Sequence, residues 1–323
     1  MPTRGNTHID GLINNLMTAR MFRPQDAICP EVFPTVLVDR PSDKFPILNT
    51  AFLRKDDDRL GPKGKANDVQ WDFDTAGSYY IDDFGYTTSI EGRTLREADT
   101  AIRRKYRLVS SRVVTDKLIL QRELRGAASL FSASVFSGKT EALSGSDQLN
   151  DPASDIFDII GGGIENVRTQ CGKRANTIIM GGAVWSAVQR HPDMRESRAD
   201  SKMKSLMDMD EVRQVFSNKR MKMSKVIVGD SQYNTAAENQ TASWSDVWGK
   251  FLLVAYIDYN AVTELEQSLT KCFQEKGNAG VSVKFYKDSE NEDAKSEDCR
   301  AEVHYDDNVL DTSCGYLFST AVA

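Results

Sequence analysis

Few residues of this chain have the type and spacing to do chemistry. Ser137-Gly138-Lys139-Thr140 has the ending of a phosphate-binding loop. There a glycine-rich turn offers backbone N–H groups to phosphate and a lysine neutralises it. The full pattern needs a glycine five residues before Gly138 and a strand upstream. Ala133 occupies that position and the preceding sequence reads as helix. His8, His191 and His304 are the only histidines, and none has the ligand spacing of a metal site. His191 is expected to satisfy the end of its own helix, where an imidazole suits the negative dipole. Asp56, Asp57 and Asp58, with Asp72 and Asp74, lack the alternating oxygens of a calcium loop and read as a solvated acidic face. Asn239-Gln240-Thr241 fits a glycosylation triplet, which has meaning only in a secreted chain. The expectation is a chain without catalytic residues, cofactor or metal, built to pack and associate.

Composition narrows the classes. The 323 residues suffice for a large core or several domains. The net charge is −6, from 41 basic and 47 acidic residues. That argues against a protein that grips nucleic acid, because such proteins concentrate positive charge. The five cysteines follow no metal spacing and read as free thiols of a reducing compartment. Cys299 and Cys314 are the pair that a hairpin would bring face to face. No apolar run approaches the roughly 18 residues of a membrane helix, and the N-terminus has no secretion-signal layout. A soluble protein made in a cytoplasm is expected.

Thr7-His8-Ile9-Asp10 resembles a capping box, and Ile9, Leu12, Ile13, Leu16, Met17 and Met21 follow at helical spacing. The chain should open with a short amphipathic helix ended by Pro24. Val32–Val38 reads as a strand. From Phe45 to Gly92, strand-like patches flank the polar stretch Arg54–Lys65, which predicts a long hairpin. A hairpin of that length cannot bury itself. Thr94 to Ser137 has no proline and two apolar stripes. It predicts one helix of about 40 residues, or roughly 60 Å, with a kink favoured near Ser110–Thr115. Helices and strands then alternate from Ala153 to Tyr259, as in a compact α/β unit. Strands at Val281–Tyr286, Arg300–Tyr305 and Tyr316–Ala321 follow, the first two separated by the charged loop Asp288–Asp298. Seven of the ten methionines lie between Met180 and Met223, suited to filling irregular core gaps or adaptable contact surfaces.

Several blocks carry a family resemblance. Leu118–Glu123 (LILQRE) resembles the long-helix signature of the major capsid proteins of tailed bacteriophages, the HK97-like fold. Ala142–Ser146 with Asp151–Asp155 resembles their linker. Arg174–Met194 (RANTIIMGGAVWSAVQRHPDM with its flanks) and Val226–Ile257 resemble their α/β unit. The resemblance covers most of Pro30–Asp258 and is weak in the last sixty or so residues. It implies an α+β chain with an N-terminal arm and first strand over 1–44, and an extended hairpin loop over 45–92. A peripheral domain with its spine helix would span 93–152, an axial α/β domain 153–259, and strands returning to the peripheral domain 260–323.

The resemblance also implies a function: pentamers and hexamers of this chain closing into an icosahedral shell around double-stranded DNA. Its location would be the virion, after assembly in the host cytoplasm. The partners would be other copies of the chain and a portal, with a separate scaffolding protein or none, since only Met1–Glu31 precedes the first strand, and with a decoration protein left open. DNA would be enclosed without sequence-specific binding, and no membrane is involved. An encapsulin-like nanocompartment and a gene transfer agent capsid are the alternatives. Between copies, the acidic hairpin with Asp56, Asp57 and Asp58 is expected to lie over the basic helix with Arg103, Arg104 and Arg107. Lys63 and Lys65 sit at the hairpin's tip. An enzyme built on the α/β unit would need convergent polar groups that the sequence does not supply.

Overall fold

The computed structural model describes residues 7–8, 11–22, 27–48, 55, 59, 69, 73–198, 206–219, 221–260, 267–287 and 296–323. The chain enters as a two-residue strand, β1 (Thr7–His8), followed by helix α1 (Gly11–Phe22). Ile13, Met17 and Met21, four residues apart, bury one side of α1. The expected capping box is therefore corrected. Thr7 and His8 pair with Tyr286 and Phe285 across the chain, and a long-range ladder displaces the local cap.

A single turn of helix, α2 (Cys29–Val32), precedes β2 (Thr35–Val38). Next come β3 (Ser42–Leu48), β4 (Phe73–Tyr80) and β5 (Asp82–Ile90). β3 and β4 form the arms of the predicted hairpin, in register from Ser42↔Tyr80 to Leu48↔Phe73, with an irregularity at Pro46. The hairpin is shorter than the expected 45–92, because β5 leaves it and pairs with a strand near the C-terminus along nine residues. Its base folds onto its own chain. Phe45 and Tyr79 both stack on Phe273, with ring centroids 5.8 and 4.5 Å away. Val36, Val38 and Ile81 complete this second small core. A Cβ on Gly77 would fall inside the Phe45 ring, so glycine is required there.

The expected 40-residue helix is two helices, α3 (Gly92–Glu97) and α4 (Thr100–Leu130). They part at Ala98, whose backbone is extended, and Asp99 opens α4 as its N-cap. α4 runs without interruption through Ser110–Thr115, so no break occurs there. After β6 (Thr140–Ala142) comes α5 (Ile156–Cys171), capped by the Asp155 carboxylate and closed by Gly172 at φ +72°. Then follow β7 (Thr177–Gly181), α6 (Gly182–Arg190), α7 (Pro192–Glu196), α8 (Met209–Asn218) and β8 (Lys225–Gly229). β9 (Gln232–Asn234), β10 (Trp244–Asp246) and β11 (Leu252–Ala255) come next. The chain ends with β12 (Thr270–Glu275), β13 (Val281–Lys287), β14 (Glu297–Val309) and β15 (Gly315–Ser319).

Two sheets organise the molecule. One has the order β1-β13-β14-β12-β2, with β5 joined to β14. The other has the order β6-β15-β11-β7-β8. Its strands β7 and β11 are buried along their whole length, as expected of strands covered on both faces. The C-terminal region 260–323 therefore divides. β12, β13 and β14 join the first sheet, but β15 enters the α/β sheet between β6 and β11. β6 belongs to that sheet too, although it falls within the stretch 93–152. Leu317 and Phe318 on β15 are fully buried there, and this apolar burial decides the placement. Met180, Met194, Met207, Met221 and Met223 are core residues, while Met209 is exposed.

Candidate assembly interface

α4 organises the site. Its inner face carries Val114, Leu118, Ala127 and Leu130, interrupted by four buried polar residues, Ser111, Thr115, Arg122 and Glu123. Ser111 and Thr115 return their hydroxyls to backbone carbonyls of their own helix. Arg122 and Glu123 reach outward in different directions. Arg122 donates two hydrogen bonds of 2.7 Å to Asp307 on β14 and one of 3.4 Å to the Cys272 sulfur on β12. Its guanidinium also sits 4.6 Å from the Tyr305 ring centre. Burial works against its charge, but the Asp307 carboxylate outweighs that and holds the guanidinium firmly protonated.

Glu123 turns the other way. One oxygen accepts the Cys29 backbone N–H at 2.7 Å and the other accepts the Trp248 indole N–H at 2.6 Å. Burial, followed by the charge of Glu123, pushes the Cys29 thiol up. Gly126, one turn further, lets Cys29, Phe33 and Trp248 close on the helix, since a Cβ there would lie 2.4 Å from the Cys29 sulfur. Two consecutive residues of one helix thus join the first sheet, the N-terminal turn and the α/β unit. The sequence reading gave neither residue a buried role, because charged types default to the surface. Their place on the apolar period with Val114 and Leu118 was the signal.

The basic character of α4 is also partly spent within the chain. Arg107 makes a two-pronged bond to Glu297 at 2.6 and 3.1 Å. Arg125 lies 3.8 Å from the Phe84 ring centre and bonds the Tyr305 hydroxyl. Arg112 is 3.7 Å from Asp116, which Arg20 of α1 also engages. Arg103 and Arg104 are exposed, with the Arg103 Nε donating to the Ala98 carbonyl across the α3–α4 junction. Asp56, Asp57, Asp58, Lys63 and Lys65 lie outside the described residues, so their expected meeting with Arg103, Arg104 and Arg107 is not seen here.

The solvent side of α4 holds what charge counting overlooked. Ile102, Tyr106, Val109 and Val113 are 42, 41, 57 and 56% exposed. Their spacing of four, three and four places them in one seam, the pattern by which a helix meets a partner. Beside it, between α1, α4 and the β8–β9 turn, lies a groove of about 880 Å³ lined by Leu16, Leu108, Ile119 and Leu120 among others.

His191 is corrected as well. It stands at the joint of two helices: its backbone N–H closes α6 on the Val188 carbonyl at 3.3 Å, while its imidazole caps the start of α7, where Nδ1 accepts the Asp193 N–H at 3.3 Å. Its Nε2 lies 3.2 Å from the Asp151 carbonyl and 3.1 Å from the Ser154 hydroxyl. Lys139 of the phosphate-loop look-alike donates to the Thr312 hydroxyl at 2.9 Å. Cys299 does not face Cys314. It stands opposite Phe285 and Thr88 in the first sheet, and Cys314 neighbours Cys171.

No protein-family model matches the chain. It is 26% identical over 186 residues to a major capsid protein of Burkholderia phage BcepMu, an alignment covering 56% of this chain and 55% of that protein. It is 24% identical over 246 residues to a major capsid protein of Pseudomonas phage JBD67, covering 75% of each. The chain thus spans about half the length of the first curated relative and three quarters of the second. Among solved structures it superposes on a phage-related protein from Bordetella bronchiseptica RB50 with TM-score 0.73, 20% identity and 97% of both chains covered. It superposes on the capsid of cyanophage P-SCSP1u with TM-score 0.51, 8% identity, and 89% of this chain and 86% of that chain covered.

Proposed function

We propose that this chain, which has the HK97-like capsid fold and resembles tailed-phage major capsid proteins in sequence, is the repeating unit of an icosahedral shell around a double-stranded DNA genome. Its place is the virion, after assembly in the host cytoplasm. A portal and, where scaffolding is separate, a scaffolding protein are its further partners, and its role is structural, without catalysis.

The seam on α4 carries the reading. Four large apolar side chains stand exposed on a helix whose opposite face is fully packed. Exposed contiguous apolar surface of this kind marks an interaction site. The basic residues Arg103 and Arg104 flank the seam, and the hairpin between β3 and β4 carries Asp56, Asp57 and Asp58. In the shell, the hairpin of one copy lies across α4 of the next. The seam supplies the affinity, while the charges supply steering and register. Exposed pairs contribute only about 0–1 kcal/mol each, so the apolar contact dominates. The net charge of −6 suits a container whose wall does not hold its DNA tightly.

The test is electron microscopy of purified material, followed by nuclease-protected nucleic acid analysis. Closed particles of one size containing DNA are expected from infected cells. Particles filled with a single enzyme would favour a nanocompartment, and a catalytically active monomer would end the reading.

A further inference from the structure

One loop leads from α5 into β7 and another from α8 into β8. The two lie side by side, because the Asn176 carbonyl accepts the Ser224 N–H at 2.7 Å and the Lys225 N–H at 3.2 Å. The first loop carries Lys173 and Arg174. The stretch Ser217–Lys225 carries Lys219, Arg220, Lys222 and Lys225 and no acidic residue. Lys219 and Lys222 are exposed, and Lys173 and Lys225 are half-buried. Three of these lysines rest on aromatic rings. Lys173 Nζ is 4.8 Å from the Tyr256 ring centre, Lys219 Nζ 4.7 Å from that of Phe157, and Lys225 Nζ 3.9 Å from that of Tyr259. A ring attracts a cation but does not neutralise it. Among the described residues, the lysine ion pairs lie elsewhere, at Lys276 with Asp39 and Lys284 with Glu302. Arg174 shares the field of Glu165, which Arg168 already engages, so the four lysines carry the argument. Glu31 lies near Tyr259, yet no bond ties it to Lys225 among the described residues.

We infer that Lys173, Lys219, Lys222 and Lys225 form a contact surface for the phosphate backbone of a DNA duplex, without regard to its sequence. The choice of partner rests on the proposed shell, whose content is double-stranded DNA. Each lysine that meets a phosphate releases a condensed counterion, which supplies the free energy of such contacts. Lysine is a point charge and phosphate is the same at every base, so the surface positions DNA and does not read it. The contact is loose, because the rest of a chain of net charge −6 repels the same phosphates.

Lys222 is the sharpest witness. Lys219 closes α8, where a cation suits the helix dipole in any case. Lys222 lies past the helix, at φ +53°, a backbone angle that residues other than glycine seldom adopt. Met221 and Met223 on either side of it are buried, so the loop is pinned to the core and Lys222 is turned to solvent. The competing occupant is an acidic protein segment. A run such as Asp56–Asp58 offers three adjacent charges. A duplex presents phosphates along its whole length, and so meets lysines drawn from two loops and a helix end at once.

The test titrates unassembled full-length protein into a short fluorescent DNA duplex of mixed sequence, by anisotropy, over a range of salt. Four phosphate contacts give a slope of about −3.6 in log affinity against log salt, roughly a 150-fold loss between about 50 and 200 mM. K219Q/K222Q/K225Q should bring the slope to about −1, and K222Q alone should weaken it by about 1. K276Q/K284Q, which removes two lysines already paired with carboxylates, should leave it unchanged. A duplex of different sequence should bind equally well. No binding at low salt would overturn the inference. So would an unchanged slope in the triple variant while circular dichroism shows it folded, or an equal change in K276Q/K284Q. Polyglutamate binding more tightly than DNA of equal charge would assign the surface to an acidic protein and overturn it as well. K222Q decides the matter where the triple variant fails to fold, since Lys222 is exposed. Particles that hold DNA beside an unchanged slope in the variants would sink this inference alone. Particles without DNA beside the expected slopes would sink the shell reading and support the surface.

Discussion

The Trp248 indole N–H donates to Glu123 at 2.6 Å, and both side chains are removed from solvent. A carboxylate so placed must be fully satisfied, and the Cys29 N–H at 2.7 Å supplies the second bond. The α/β unit, the N-terminal turn and α4 are therefore fixed to one another through a single side chain. Glu123→Gln retains the size but turns half of the acceptor into a donor, facing either Trp248 or Cys29. We expect a loss of about 1–3 kcal/mol, read by denaturant unfolding. Trp248→Phe should lose less than Glu123→Ala, since it leaves one acceptor oxygen unsatisfied and no large hole.

Arg122 and Asp307 form the second buried pair. Asp307→Asn should cost about 3–5 kcal/mol, because it strands the guanidinium. The double variant Arg122→Met with Asp307→Leu should recover much of that loss. A double-mutant cycle on thermal or urea unfolding checks this. Taken with the single variants Arg122→Met and Asp307→Leu, a double-variant loss equal to the sum of the two single losses would show that the pair is not coupled.

Val109 and Val113 are more than half exposed, so replacing them by serine opens no buried cavity. The folded subunit should keep its stability within about 0.5 kcal/mol, while the yield of sedimenting particles falls sharply. Circular dichroism and gradient sedimentation separate the two effects. Particle yield unchanged beside wild type would dissociate the seam from assembly.

Gly126→Ala places a methyl 2.4 Å from the Cys29 sulfur. Overpacking of this kind costs about 1–3 kcal/mol, and Gly126→Ala combined with Cys29→Ala should be closer to wild type. Melting temperatures of the three proteins give the answer.

Asp311 yields a pH prediction. Burial would raise its pKa, but hydrogen bonds from Ser313 and Gln267 prevail and hold it below the usual carboxylate value. A folded pKa below the unfolded one contributes stability that is fully present above the unfolded value of about 3.9. It is lost as pH falls through the folded value. Asp311→Asn should therefore flatten the acid limb of the stability curve below about pH 4 and leave its neutral slope unchanged.

The sequence disclosed what is encoded locally. Thr177–Met180 is a run of buried apolar residues ended by paired glycines, so a strand turning into a helix could be read directly, and β7 and α6 lie there. α5, α8 and β11 were legible for the same reason. Non-local choices were not. Nothing in Asp82–Ile90 says that its partner is Glu297–Tyr305, more than two hundred residues away, so β5 was read as part of the hairpin. Thr7–His8 and β15 went astray in the same way. Arg122 and Glu123 were missed for a different reason. Charged residues belong inside only when partners meet them, and Asp307, Cys29 and Trp248 are brought by the fold, not by neighbouring sequence.

β4 passes into β5 with only Ile81 between them, and β5 is zipped to β14 along nine consecutive residues. A tug on the hairpin, directed along the strands, loads all those rungs at once in shear. Peeling would open them singly at far lower force. If the proposed shell forms, a hairpin reaching for a neighbour would be rooted like a tent rope lashed along a pole, and stress on the wall would be shared across the whole sheet before any one bond gave way.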